Sequence, residues 1–364
     1  ENVLKNIRRQ NISVDKMLEL APTIKEYNLN TTAEIIIGLP GDTFKSHIET
    51  IRGLINAKLD DVIAYTCLIL PGSEMATPEQ KLKWKYKTKF QILPEDFATL
   101  SNGKRICEFG EYVVSSKDMS FDEYIELRTI AFTLWMTNKG ILYDPLLKFL
   151  RQQNLDISEL FFQMVKRSAN APNLVKNVYE SFRKNTRDES YDSPEEILSK
   201  IQNDEFYQKL VNEEIANNVI RYHHAVVLAT CMDEWTEYVL MIAHELLQEN
   251  NKLDDVIERQ FENIANYCRG TCHNPLGEDR METNLEFEFN YDITKWLTDS
   301  SEKLNLEECK TNNTIKGIFK LTDEKYEVVN DSINLFGTTF AGYYKGLKMV
   351  PQYILFRDFH LQEE

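Results

Sequence analysis

Residues 33–43 read Ala33-Glu34-Ile35-Ile36-Ile37-Gly38-Leu39-Pro40-Gly41-Asp42-Thr43. An apolar run ends at Gly38, where the missing Cβ lets a flat ligand lie against the backbone. Pro40-Gly41 suits a tight turn. A helix capped by Asp42 or Thr43 then points its unpaired N–H groups back at the same spot. Glu34 lies four residues before Gly38, on the strand face of Ile36 and Gly38. A carboxylate on an inward face needs a polar partner or a ligand hydroxyl. The chemistry expected here is the seating of a flat, hydroxyl-bearing molecule. The competing reading is an ordinary β–α turn.

Other constellations are weaker. Cys268-Arg269-Gly270-Thr271-Cys272-His273 puts two thiols one helical turn apart, a spacing open to metal ligation with Asp255, Glu258 or Glu262. The plainer reading is ordinary thiols at a helix end stopped by Gly270. His223-His224 beside Tyr222, with His244 later, suggests a polar site. Neighbours on a helix point about 100° apart, however, so the pair does not easily serve one centre. Cys67 reads as a small buried apolar residue. No Ser-His-Asp arrangement, phosphate loop or H-E-x-x-H stands out.

These residues need elements to position them. Ser13–Tyr27 carries a helical stripe (Val14, Met17, Leu18, Leu20, Ala21, Ile24) with a Ser N-cap and a disruptive Pro22. Thr31–Ile37 is a buried strand, 43–55 a helix and Val62–Leu70 a second buried strand. Strand, helix and strand in about 40 residues is a βαβ unit with parallel neighbours. Two strands do not make a stable parallel sheet alone, so the chain is expected to be part of a longer protein. The basic, aromatic stretch 80–100 reads as an amphipathic connector whose Lys stems cover apolar surface. Residues 104–114 suggest a short strand, and Ser120 caps a helix over 121–138 stopped by Gly140. Helices are expected over 142–152, 156–168, 171–184, 194–202, 204–219, 220–248 and 253–267, with a linker over 185–194. Strict alternation over Leu285–Ile293 predicts a strand, followed by strands at 314–321 and 353–359 and a helix at 327–335.

Composition bounds the function classes. The chain has 364 residues, 42% of them hydrophobic and 27% charged, which is globular. Its formal charge of −16 repels nucleic-acid backbone and anionic membranes. No apolar run reaches the roughly 18 residues of a spanning helix. Six thinly spread cysteines suggest a reducing, cytoplasmic setting.

Gly38-Leu39-Pro40-Gly41-Asp42-Thr43 resembles the G-[LF]-P-G-[EQD]-T segment that ends the fifth barrel strand of the radical SAM superfamily. Upstream, Val3-Leu4-Lys5-Asn6-Ile7-Arg8-Arg9 looks like the segment after the fourth strand. Downstream, Tyr65–Ser73 looks like the sixth strand and its Pro-Gly-Ser ending. Val113–Tyr124 is similar to the region after the barrel in members that carry a cobalamin-binding domain. The resemblance covers residues 1 to about 140. It implies S-adenosylmethionine and a [4Fe–4S] cluster as cofactors, with cobalamin in the associated subgroup. It also implies a nucleoside site at Glu34 (ribose), at Ile37, Gly38 and Leu39 (adenine), and along the backbone of Leu68, Ile69 and Leu70. The departure is the cluster motif. C-x3-C-x2-C is absent, and the one C-x3-C, Cys268–Cys272, lies far downstream and lacks a third Cys.

The expected fold is therefore an α/β piece of a partial (β/α)6 barrel, with two parallel strands, followed by a mostly α-helical domain and a small C-terminal β-sheet. The expected order is barrel part over 1–100, connector and helix over 101–140, helical domain over 141–280 and an α+β region over 281–364. The function this implies is the C-terminal part of a radical S-adenosylmethionine enzyme for methyl transfer or rearrangement. Catalytic residues are not identified, and the cluster ligands lie outside the chain. The expected partners are the N-terminal portion of the same protein and a small-molecule or peptide substrate, without nucleic acid or membrane. The rival is a non-catalytic helical protein-binding module attached to a remnant α/β unit.

Overall fold

The computed structural model describes residues 2–12, 16, 19, 20, 23, 24, 27, 29, 31–138, 142–281, 284–299 and 301–362. Most of the helix expected over Ser13–Tyr27, including its Ser cap and Pro22, lies outside the described residues, as does the Gly140 stop. The chain groups into two compact units. The first comprises 1–23, 31–132 and 179–222, and the second 24–30, 133–178 and 223–364.

The first unit contains the expected βαβ. Strand β1 (Thr32–Ile37) pairs in parallel with β2 (Asp61–Thr66), Glu34 opposite Ile63 and Ile36 opposite Tyr65. The intervening helix α2 (Phe44–Asn56; α1 is Asn2–Asn6) buries His47, Ile51, Leu54 and Ile55. Its N-cap is Thr43, in a reciprocal capping box with Ser46.

The second apolar run is not one strand. It breaks at Cys67, and β3 (Leu68–Ile69) joins a different, antiparallel sheet, in which β5 (Arg105–Ser115) lies between β3 and β4 (Lys87–Thr99). Cys67, between β2 and β3, links the two sheets. Its N–H donates to the Ile37 carbonyl at 2.9 Å, and its carbonyl accepts from the Val113 N–H at 2.9 Å. The run is apolar throughout, so periodicity carried no mark of the switch. Strands β4 (Lys87–Thr99) and β5 (Arg105–Ser115) form a long hairpin where a connector and a short strand were expected. The signal was present: Lys87, Lys89 and Gln91 alternate with Thr88, Phe90 and Ile92. Pro94 obscured it, and there the register shifts between Ile92 and Phe97. The basic stretch also opens with helix α3 (Pro78–Trp84). Ser120 caps helix α4 (Phe121–Thr137) as expected, its hydroxyl accepting from the Glu123 N–H at 3.2 Å.

Residues 185–194 are not a free linker. A helix runs from Asn173 to Asp188, and Tyr191 then exchanges backbone hydrogen bonds with Phe90 at 2.8 and 2.9 Å. Behind β4 and β5, Ile92 packs with Ile197, Ile201, Tyr207 and Leu210.

The second unit is helical, with fully buried Tyr143, Phe149, Phe161, Trp235 and Tyr238. The helix expected over 220–248 breaks at Cys231, giving Val219–Thr230 and Met232–Glu249. The expected C-terminal sheet is present and antiparallel: Leu285–Tyr291, Lys310–Lys320 and Asp358–Gln362, in that order. The last strand begins later than expected because Gln352–Leu355 form a 3-10 turn.

Candidate functional site

The turn after β1 is rigidly built. Gly38 and Gly41 have φ of +94° and +80°, which L side chains rarely adopt. A Cβ at Gly41 would stand 2.7 Å from Asn6 Nδ2, and that amide donates to the Pro40 carbonyl at 2.9 Å. Asp42, 6% exposed, organises the first turn of α2. Its Oδ1 accepts from Ser46 Oγ at 2.6 Å, and its Oδ2 faces His47 Nδ1 at 2.8 Å. A carboxylate only accepts, so Nδ1 carries the proton. His47 is 3% exposed, and its Nε2 has no partner among the described residues.

One face of the parallel pair is buried; the other is half-open, with Ile36 packed against Cys67, Ile69 and Val113. Ile37, Val62 and Ala64 are buried, while Glu34 and Tyr65 lie exposed on the other face. The Tyr65 hydroxyl donates to Glu34 Oε1 at a long 3.4 Å. Partial burial, and then the Glu34 carboxylate, raise the Tyr65 phenol above its ordinary range. Glu34 Oε2 has no hydrogen-bond partner among the described residues.

The implied site residues do not all present side chains. Glu34 is exposed, and Leu68 and Leu70 are 37% and 59% exposed. Ile37 and Ile69 are buried, and the Ile37 carbonyl is taken by Cys67, which leaves little of Ile37 for a ligand. Leu39 packs against Cys67, Ile69 and Val113. Gly38 does not continue the strand face of Glu34 and Ile36, because its positive φ turns the chain. A Cβ there would meet the Val113 carbonyl at 3.3 Å, so the protein's own strand uses the space.

A second cluster, at the carboxyl end of β2, was not legible in sequence. Arg128 on α4 donates through Nη1 to Thr66 Oγ1 at 3.2 Å and through Nη2 to Glu189 Oε1 at 3.4 Å. Gln91 donates to the same Glu189 oxygen at 3.1 Å, and Thr66 Oγ1 lies 3.2 Å from the Tyr124 hydroxyl. Burial raises the Glu189 carboxyl, and Arg128 partly offsets that rise. Open α/β sheets bind ligands outside the carboxyl ends of their strands. The hydrogen-bonded pairs are 58 to 98 positions apart in the chain, so no short motif links them.

The remaining sequence candidates do not converge. Cys268 and Cys272 are fully buried, and burial pushes the Cys272 thiol up to about 12 and that of Cys268 well above its ordinary value. His273 pairs instead with Asp233 at 2.8 Å, and His244 with Glu258 at 3.0 Å. Among the described residues no group of three or more His, Cys, Asp or Glu is placed to hold a metal ion. Thiolate is the reactive form, and burial disfavours it. Iodoacetamide at pH 8 should therefore label Cys107, which is partly exposed, before any other cysteine. Cys268 and Cys272 should react only in denaturant. Native alkylation of either, read by peptide mass spectrometry, would contradict their burial. Among the described residues no helix is long and apolar enough to cross a membrane.

No family model matches the chain. Over 161 residues it is 27% identical to the cobalamin-dependent radical SAM methyltransferase TokK of Streptomyces tokunonensis. Over the same length it is 26% identical to the 2-(S-pantetheinyl)-carbapenam-3-carboxylate methyltransferase of Streptantibioticus cattleyicolor. Each match covers 42% of this chain and 22% of the relative, so the matched part is about a fifth of those proteins.

Proposed function

We propose that this chain is part of a cobalamin-associated radical SAM methyltransferase, and that its first unit forms one wall of the S-adenosylmethionine pocket. The observation that carries the reading is the parallel β1–β2 pair, which has a half-open face bearing exposed Glu34 and ends in the Gly38–Thr43 turn. The partial likeness to two methyltransferases points the same way.

The residues present fit a nucleoside. Glu34 offers a carboxylate oxygen without a partner to ribose hydroxyls, a charge-assisted hydrogen bond. Exposed Leu68 and Leu70 offer apolar cover for a flat base and exclude water, beside the turn that begins at buried Gly38. The Asp42–Ser46–His47 hydrogen bonds hold that turn in place. The residues do not fit an iron–sulfur cluster. The cysteines of the C-x3-C segment are buried thiols in the other unit, where burial disfavours the thiolate a cluster needs. When bound, S-adenosylmethionine supplies the methyl group and the radical precursor; the chain's part is to bind and orient it. The cluster ligands, the cobalamin site and the remaining strands belong to the rest of the protein, which would pair with the edge of β1 that has no partner strand among the described residues.

The test is anaerobic reconstitution of the longest natural protein that contains this sequence. Expected are stoichiometric iron and sulfide and substrate-dependent release of 5′-deoxyadenosine. Residues 1–364 alone should bind no cluster. Iron–sulfur loading on 1–364, or a full-length protein that neither loads iron nor releases 5′-deoxyadenosine, would overturn the reading.

A further inference from the structure

In the cluster around Arg128, Arg128 Nε is unpartnered but enclosed, and two further polar atoms are unpartnered and open. Both Arg128 and Gln91 donate to Oε1 of Glu189, so Oε2 is without a partner among the described residues. The Glu189 side chain retains 13% of its exposure, and Oε2 is not among the enclosed polar atoms. The Tyr112 hydroxyl is likewise without a partner and not enclosed. Tyr112 shares a sheet face with Gln91, the side chain that holds Glu189: Tyr112 is paired with Lys89 and Gly110 with Gln91.

Both groups are held in place. Tyr112 is paired with Leu68 across β5 and β3, and Gly110 shares its face two residues back. A Cβ at Gly110 would stand 2.7 Å from Leu68 Cδ1 and 2.8 Å from Tyr112 Cε2. The bare glycine is thus what lets the ring and the leucine meet over the strand. Leu68 remains 37% exposed beside them. Two open polar atoms on one side of the sheet, carried by ordered side chains with an apolar flank near the carboxyl end of a parallel strand, are the parts of a small-molecule subsite. The charges select its ligand. Glu189 repels a carboxylate and Arg128 repels an ammonium, while the pair together is close to neutral.

We infer that Glu189 Oε2 and the Tyr112 hydroxyl anchor a neutral hydrogen-bond-donating group of the substrate, an amide N–H or a hydroxyl, against Leu68. The assignment of this ligand as substrate rests on the methyltransferase reading; the binding itself does not. Glu189 and Tyr112 are binding residues here, with Arg128 and Gln91 positioning Glu189.

Three probes that share a phenyl ring test it: benzamide, benzoate and benzylammonium, titrated into the 364-residue chain by ligand-observed NMR. Benzamide is expected to bind saturably and at least about fivefold tighter than the two charged probes. Glu189→Gln turns the open acceptor into a donor and should weaken benzamide about tenfold. Tyr112→Phe keeps the ring over Gly110 and should weaken it several-fold with an unchanged melting temperature. Tighter benzoate would make Arg128 an anion site and tighter benzylammonium would make Glu189 a cation site; either overturns the inference. So would benzamide binding untouched by both variants, or no saturable binding at all. No cofactor is needed, so this result stands apart from the iron and 5′-deoxyadenosine assay.

Discussion

Replacing Asp42 with Ala is expected to destabilise the protein by about 2–4 kcal/mol. The carboxylate is 6% exposed and accepts from both Ser46 Oγ and His47 Nδ1. Its removal leaves the buried Nδ1–H of His47 unsatisfied in an imidazole whose other nitrogen already has no partner among the described residues. An orphaned buried donor costs its full desolvation penalty, whereas an intact hydrogen bond contributes far less net. Asp42→Asn keeps one acceptor and should recover more than half of the loss. Urea unfolding followed by far-ultraviolet circular dichroism measures both variants. A loss under about 0.5 kcal/mol for Asp42→Ala would mean that the turn does not depend on this carboxylate.

The second large effect is on binding. In the full-length protein, Glu34→Ala should weaken S-adenosylmethionine by about 2 kcal/mol, roughly 30-fold, because a carboxylate–hydroxyl hydrogen bond is charge-assisted. Glu34→Gln retains an acceptor and should lose only several-fold. Tyr65→Phe is the control. Its hydroxyl reaches Glu34 only at 3.4 Å, so affinity should change less than about twofold. Equilibrium dialysis with labelled S-adenosylmethionine gives all three constants. An affinity for Glu34→Ala within twofold of the parent would remove Glu34 from the pocket, and stronger loss with Tyr65→Phe would transfer the role to the phenol.

The two effects are separable by design. Glu34 is exposed and packs little, so its loss should leave unfolding nearly unchanged. Asp42 is buried and touches no proposed ligand, so its loss acts through the shape of the 38–43 turn. A stability change without a binding change, or the reverse, assigns each residue its part.

Local rules determined much of this protein. The βαβ order, the Thr43 and Ser120 caps, the glycine-dependent turn and the C-terminal sheet all follow from nearest neighbours in the chain: apolar period, a side-chain oxygen at a helix start, φ freedom at Gly38 and Gly41. What escaped was whatever depends on residues far apart in sequence. The apolar run 62–70 looks uniform, yet it changes sheets at Cys67 because Ile37 and Val113 offer hydrogen-bond partners on two sides. The stretch 185–194 looks like a linker, yet Tyr191 is fixed by Phe90. Arg128, Glu189, Gln91, Thr66 and Tyr112 carry no motif, and only packing brings them to one strand end. The Cys268–Cys272 spacing suits a metal, but tertiary burial raises both thiols and sends His273 to Asp233. Backbone geometry is set within a few residues and is legible there. A charge or thiol takes its chemistry from the dielectric and the partners around it, and those exist only once distant segments have met.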